Sequence, residues 1–203
     1  MEKGNFYLIL PANGPMENLD LGLPLLENLI LKTMKKQILS ILLITLISLG
    51  FSQDFKINSE ESIIEFNYLS EEAVGTIKGV SGKIHFDLNN LSDSYFETKA
   101  DISSINTSNK TRDKHLNAPD YFHTEKYPYL IFKSESLKID GSEFVLIGNI
   151  SIKEITKKEE IRFTYKDNVF EGRCVIYSND YEIKKQKTRE KSKILVKISV
   201  PVF

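Results

Sequence analysis

The densest group of chemically capable side chains in the sequence is the segment Thr111–Leu116, which reads Thr-Arg-Asp-Lys-His-Leu. In a catalytic interpretation, Asp113 would orient His115 as a general base, as a carboxylate does in a nucleophilic triad. Residues two positions apart do not face each other on a helix, however, and no nearby serine has a nucleophile-elbow context. We favour the alternative, in which Arg112 and Asp113 hold a long loop against the domain by hydrogen bonds. We therefore predict no catalytic residue.

The other residue types that could support chemistry are too sparse for a metal site. His85, His115 and His123 are thirty and eight residues apart, which matches no common ligand spacing. Cys174 is the only cysteine, so no intrachain disulfide can form. Its apolar neighbours predict an inert core thiol. The sequence predicts neither a metal nor a cofactor.

Charge gives little indication of a partner. The formal net charge is −1, and a balance so close to zero makes no general case for nucleic acid or an anionic surface. The basic run at 184–193 could contact anionic headgroups or a phosphate on a ligand. A solvated hairpin loop is the alternative that we favour for this run. We predict no nucleic-acid partner.

The elements that must position these groups are strands. From Asp54 onward, apolar residues occupy every second position over stretches of five or more, which is typical of strands with one wet face. Turn signals separate these stretches, and Asp140-Gly141 predicts a tight hairpin. The long gap at 103–128 predicts a short helix or turn around 113–116. The alternating stretches are 64–68, 82–88, 96–102, 130–139, 161–165 and 194–202.

About eight strands joined mostly by hairpins indicate an all-β, antiparallel barrel or sandwich. Alternation alone does not separate these two architectures. Gly75, Gly79 and Gly82 lie within eight residues of each other. Glycines in strands mark bulges or sharp bends, which strands need when they curl into a barrel. This spacing favours the barrel.

Several motifs follow one another in a specific order. One is the glycine-punctuated strand pair at 75–87. The more specific one reads Asn-x-x-Arg-Asp-x-His-Leu at 109–116, followed by Tyr121-Phe122, by Tyr127-Pro128 and by a strand that carries Phe132. In this order they resemble the YceI-like family, and the resemblance spans about 55–203. It implies a lipocalin-like barrel of about eight strands with one short helical loop insertion, which holds an isoprenoid or other long-chain lipid in its lumen without catalysis.

The resemblance makes the apolar face of the strands the wall of a lumen that carries or buffers a polyisoprenoid or fatty-acyl lipid. The alternative is an exported β-domain with a packed interior that serves as a protein-interaction or stress-related module. The loop motif of Arg112, Asp113, His115 and Leu116 is predicted to be structural. The predicted ligand-binding lumen residues are Phe66, Tyr68, Ile84, Phe86, Phe132, Phe144, Leu146, Phe163 and Val196.

The N-terminal region predicts export. Lys35 and Lys36 follow Met34, an apolar run extends from 38, and Gly50-Phe51-Ser52 ends it. These are the parts of a cleavable signal peptide over 34–52, and the run is short for a membrane span. An uncleaved anchor or a buried helix is the alternative. Residues 1–33 are then a mis-assigned upstream extension, which we favour, or a leader. We expect 53–203 to be periplasmic or secreted, with no stable membrane anchor after cleavage.

Overall fold

The computed structural model describes residues 28, 30–38 and 52–203. Residues 30–38 are helical. No helix in these ranges is both long and apolar enough to cross a membrane. Most of the predicted signal peptide and of segment 1–33 lies outside the described residues, so the division of the chain at 34 and 53 stays a prediction.

Nine strands and one α-helix make up the domain that follows, and all strand pairings are antiparallel. The strands are β1 (Ser52–Phe55), β2 (Ile63–Tyr68), β3 (Ala73–Asp87), β4 (Tyr95–Asn106), β5 (Tyr129–Asp140), β6 (Glu143–Ile152), β7 (Ile155–Lys166), β8 (Val169–Tyr177) and β9 (Lys193–Pro201), and the helix is α1 (Lys110–Asn117). Short 3₁₀ turns occur at Leu69–Glu71, Leu91–Asp93, Ser178–Tyr181 and Glu190–Ser192.

Eight of these strands close into a barrel. The order is β3-β2-β9-β8-β7-β6-β5-β4, and β4 pairs again with β3. Strand β1 adds to the same edge of β3 as β2, opposite Ile84–Asp87, while β2 pairs with Ala73–Lys78. The all-β, antiparallel, lipocalin-like barrel with a short helical insertion is therefore confirmed.

The backbone angles of two hairpins explain which residue types occupy their turns. Gly141 has φ +64° and lies between the paired residues Asp140 and Glu143. Positive φ at the first central position is what a two-residue type II′ turn requires. Asp167 and Asn168 both have positive φ, at 51° and 61°, as in a type I′ turn. Both turn types match the right-handed twist of strands that curl into a barrel.

The bend that closes the barrel is at Gly82. Its φ is +133°, and a Cβ atom there would lie 2.2 Å from the carbonyl oxygen of Glu97 on β4. The register between β3 and β4 shifts just before it, between Lys78 and Ser81. Gly82 thus allows β3 to bend while its backbone stays close to β4.

We expect Gly82→Ala to lower the free energy of unfolding by about 3 kcal/mol or more, because strain at φ +133° adds to a backbone clash. Gly141→Ala is the matched control: φ is also positive there, but nothing lies within 4 Å of the added Cβ, so the expected cost is only about 1–2 kcal/mol. Urea denaturation of both variants measures the difference, and equal costs would contradict the close-approach argument.

The two ends of the barrel differ. The turns 56–62, 88–94, 141–142 and 167–168 lie at one end, which we call the closed end; the connections 69–72, 107–128, 153–154 and 178–192 lie at the other, the loop end. An aromatic cluster fills the closed end. Phe86 is 2 % exposed and its ring centroid lies 5.1–6.2 Å from five other rings, those of Phe96, Phe144, Phe163, Tyr165 and Phe170.

Candidate functional site

The barrel encloses a cavity of about 550 Å³ that extends toward the loop end. Its wall includes residues of the loop-end connections, such as Thr107, Tyr121 and Ile183, but none from the closed-end turns. The wall is mainly aliphatic and aromatic. Buried wall side chains include Ile77, Val80, Ile84, Ala100, Ile105, Leu146, Ile152, Ile161, Phe163, Phe170, Cys174, Ile176 and Val200.

Seven of the nine predicted lumen residues lie in this wall: Phe66, Tyr68, Ile84, Phe132, Leu146, Phe163 and Val196. The other two, Phe86 and Phe144, face inward but pack against each other at 5.1 Å in the closed-end cluster, outside the cavity wall. Alternation identifies which side chains of a strand face inward, but it does not show how far along the barrel axis each of them lies. Contact of any of the nine with a ligand stays a prediction.

Two glycines on neighbouring strands make room for two aromatic side chains of the cavity wall. A Cβ atom on Gly75 would lie 2.5 Å from Cζ of the Phe66 ring, which is too close for two carbon atoms. A Cβ atom on Gly148 would likewise lie 2.6 Å from Cζ of the Phe132 ring. Gly75 is paired with Phe66 across β2 and β3. Glycine at these positions therefore sets where the aromatic part of the wall stands.

Several wall residues were not singled out from the sequence. Leu130, Ile150 and Ile176 share the inward register of their strands, so a complete alternation count would have found them. A count from Ile84 would have missed Ile77, because the register of β3 shifts between Lys78 and Ser81. The loop-end residues had no such signal, because a loop has no periodicity that relates it to the interior. This second group comprises Glu71, Thr107 and Ile183, whereas Tyr121 and Phe122 were noted in the family motif and Lys184 in the basic run at 184–193.

Thr107 is the centre of the loop motif. The Asp113 carboxylate accepts hydrogen bonds from the Thr107 amide at 2.8 Å and from its hydroxyl at 2.6 Å. Arg112 donates from Nε to the Thr107 hydroxyl at 2.8 Å and from Nη2 to the Thr107 carbonyl at 3.0 Å. Asn109 caps the helix by accepting from the Arg112 amide at 3.0 Å. The start of α1 is thus tied to the end of β4.

The same arrangement disfavours the catalytic interpretation of this segment. The carboxylate of Asp113 is engaged by Thr107, and within 52–203 no hydrogen bond joins it to the ring of His115. His115 is exposed and lies at the rim of the cavity, whereas Leu116 lies partly buried against the core. No cluster of three or more His, Cys, Asp or Glu side chains in the described ranges could hold a metal ion.

A polar contact crosses the loop end above the cavity. The Glu71 carboxylate accepts from Lys184 Nζ and from Gln186 Nε2, both at 2.6 Å. The Lys184 hydrogen bond lowers the pKa of Glu71. The same connection is held by a second set of hydrogen bonds. The Tyr68 hydroxyl lies 2.8 Å from the Ser178 hydroxyl, and the Ser178 hydroxyl donates to the Lys184 carbonyl. These bonds hold the β8–β9 connection against the β2–β3 turn.

A second polar group lies beside the cavity. Tyr181 is fully buried and donates its hydroxyl to Glu159 at 2.9 Å. Burial raises the pKa of Glu159, and it raises the pKa of the Tyr181 phenol as well. Burial also raises the pKa of the nearby Cys174 thiol to about 12. The thiol therefore stays protonated at neutral pH.

The raised pKa of Glu159 predicts a pH dependence. A carboxyl with a folded-state pKa above its unfolded value favours the folded state while protonated, and this stability is lost as pH rises through the folded pKa. We expect the stability of Glu159→Gln relative to the parent to improve as pH rises from 4 to 7, because glutamine never ionises. Denaturation of both proteins at each pH measures this; a difference that stays constant or shrinks contradicts it.

A closed antiparallel barrel with an apolar cavity toward one end defines a lipocalin-like protein, and the family follows from the sequence. Residues 55–202 match the model of the YceI-like domain, and the chain belongs to this family. It is 32 % identical over 135 residues to Protein YceI of Escherichia coli O157:H7, covering 61 % of this chain and 69 % of that protein. It is 37 % identical over 83 residues to the UPF0312 protein plu2095 of Photorhabdus laumondii, covering 41 % and 43 % respectively.

Solved structures share the fold. BcnA of Burkholderia cenocepacia has a TM-score of 0.64 at 16 % identity, with 71 % of this chain and 98 % of that chain covered. The Campylobacter jejuni YceI protein has a TM-score of 0.54 at 23 % identity, with 64 % and 84 % covered. At these identities the likeness concerns the barrel alone.

Proposed function

We propose that this protein binds a long-chain apolar lipid, of polyisoprenoid or fatty-acyl type, in the barrel cavity, and that it carries or buffers this lipid without catalysis. The observation that carries the proposal is the cavity itself. Its volume of about 550 Å³ lies within the usual range of small-molecule sites, which are mostly apolar with a few polar groups. A well-packed domain interior contains few voids larger than a water molecule.

Burial of the chain would drive binding. A ligand that buries on the order of 400 Å² of apolar surface gains roughly 10 kcal/mol at about 25 cal/mol per Å². The loss of translational, rotational and conformational freedom on association offsets several of these kcal/mol. The remaining free energy is sufficient for useful affinity without any covalent step. The alternative, a packed interior in an interaction or stress-related module, would require this cavity to be filled; of the predicted lumen residues, Phe86 and Phe144 lie outside the cavity wall.

Mass spectrometry of an organic extract tests this function. We expect the protein purified from its native host to release a long-chain lipid near equimolar amount, and we expect the stripped protein to bind hexadecanol. A lipid-free extract together with no binding of hexadecanol by the stripped protein would refute lipid carriage.

We further propose that the protein acts outside the cytoplasm, after cleavage of a signal peptide at 34–52. The support is the order of Lys35-Lys36, an apolar run and Gly50-Phe51-Ser52, which is the pattern of a secretory signal. Intact-mass measurement of the protein from the periplasmic fraction checks it. We expect a mature N-terminus at or near Gln53, and a species that retains Met34 contradicts cleavage.

A further inference from the structure

The charges in the cavity wall are unevenly compensated. Four charged residues line it, of which Glu71 and Lys184 form an ion pair at 2.6 Å. Lys99 is exposed on the outward register of β4, and its Nζ lies 4.0 Å from the ring centroid of Tyr129. Arg112 remains, and within residues 52–203 no carboxylate lies within 4 Å of its guanidinium. Within residues 52–203, Arg112 is therefore a wall cation with no direct ion pair, and its guanidinium shares the Thr107 hydroxyl with the Asp113 carboxylate.

The guanidinium of Arg112 is held in place rather than loose. Thr107, 5 % exposed, accepts from both Nε and Nη2. Two of its five N–H donors are thus used, and in the described part of the chain both donors on Nη1 and the second donor on Nη2 have no hydrogen-bond partner. A fixed arginine fork with spare donors is suited to a carboxylate or phosphate. The Asp113 carboxylate keeps its charge and accepts two hydrogen bonds from Thr107, but it makes no direct ion pair with the guanidinium and leaves the spare donors free for a ligand.

The cavity volume limits the apolar part of the ligand. A water molecule occupies about 30 Å³ in the liquid and a methylene group is of similar size, so about 550 Å³ holds on the order of twenty carbon atoms. Polar wall residues at Thr107, Asn109, Thr111 and His115 lie around Arg112 at the loop end, while the depth is apolar. A ligand with its head at Arg112 would have its chain directed into the barrel.

We infer that the ligand is an anionic amphiphile, with a carboxylate or phosphate head bound by Arg112 and a chain of about sixteen to twenty carbons in the cavity. This inference rests on the proposed function and adds the charge of the head and the enclosed chain length. Arg112 then determines specificity between charged and neutral lipids of equal length.

The test uses three probes with the same sixteen-carbon chain: hexadecanoate, hexadecyl phosphate and hexadecanol. Each displaces a neutral fluorescent apolar probe from the stripped protein. We expect both anions to bind about tenfold or more tightly than the alcohol, as a charge-assisted hydrogen bond permits. We expect Arg112→Gln to remove this preference, so that the variant binds all three probes with about equal affinity. Because the substitution also removes both hydrogen bonds to Thr107, we expect its melting temperature to fall, and the preference is measured as a ratio of affinities below the variant's unfolding transition.

Lys114→Gln is the matched control, because it removes one positive charge from an exposed position of the same helix outside the cavity wall. It should keep the preference. A preference for hexadecanoate over hexadecyl phosphate, or the reverse, identifies which anion the head carries, and both support the inference. Equal affinity of the parent for all three probes, or a preference that survives in Arg112→Gln, overturns it and leaves lipid carriage standing. Failure of every probe to bind refutes the proposed function instead.

Discussion

Replacing Phe86 with alanine is expected to lower the free energy of unfolding by about 3–5 kcal/mol, because it removes a buried ring and leaves a void. Phe86 is 2 % exposed and contacts five aromatic rings in the closed-end cluster. Urea denaturation at 25 °C measures the loss.

Phe132→Ala is the matched substitution at the cavity wall. Its side chain already borders open space, so truncation enlarges an existing cavity and loses mainly the burial of the ring. We expect a cost below about 2 kcal/mol. If Phe132→Ala destabilises as much as Phe86→Ala, the interior around Phe132 is packed and the cavity does not exist in solution.

The largest expected effect on binding comes from filling the cavity. Val196 lies in the wall on β9, and its replacement by phenylalanine puts a ring into the space that a lipid chain needs. We expect Val196→Phe to melt within a few degrees of the parent and to lose most of its lipid uptake. Titration of the stripped protein with a fluorescent long-chain lipid measures the second effect.

Val202→Phe provides the opposite case. Val202 is 4 % exposed and packs in the core at the closed end, outside the cavity wall. The same added volume has no space there, so we expect overpacking to cost about 1–3 kcal/mol without a direct effect on lipid binding. If Val196→Phe is also strongly destabilised, or if it binds lipid as well as the parent, the binding site is not this cavity.

The barrel could be predicted from the sequence because its signals are local. Period-two alternation identified the strands, and Asp140-Gly141 gave a hairpin that the structure places between β5 and β6. The bend at Gly82 was indicated by glycine spacing, although only the close approach to Glu97 explains why no side chain can stand there. The YceI-like motif order then selected a closed barrel over a sandwich.

The candidate site was predicted less completely, for a physical reason. Alternation shows that Phe86 and Phe132 both face inward, but their different surroundings depend on contacts between distant strands. The pairing of Glu71 with Lys184 joins residues more than a hundred positions apart. The same pairing leaves Arg112 without a direct ion pair at the loop end, and the sequence does not show this because it depends on how the loops pack.

Cys174 allows the occupancy of the cavity to be measured without altering the protein. It is the only thiol in the chain, it is 9 % exposed, and it lies in the cavity wall. Because burial holds its pKa at about 12 and the thiolate is the reacting form, alkylation is slow and requires the reagent to enter the barrel. A bound chain would cover the sulfur. The rate of labelling therefore reports the fraction of the protein that holds a ligand.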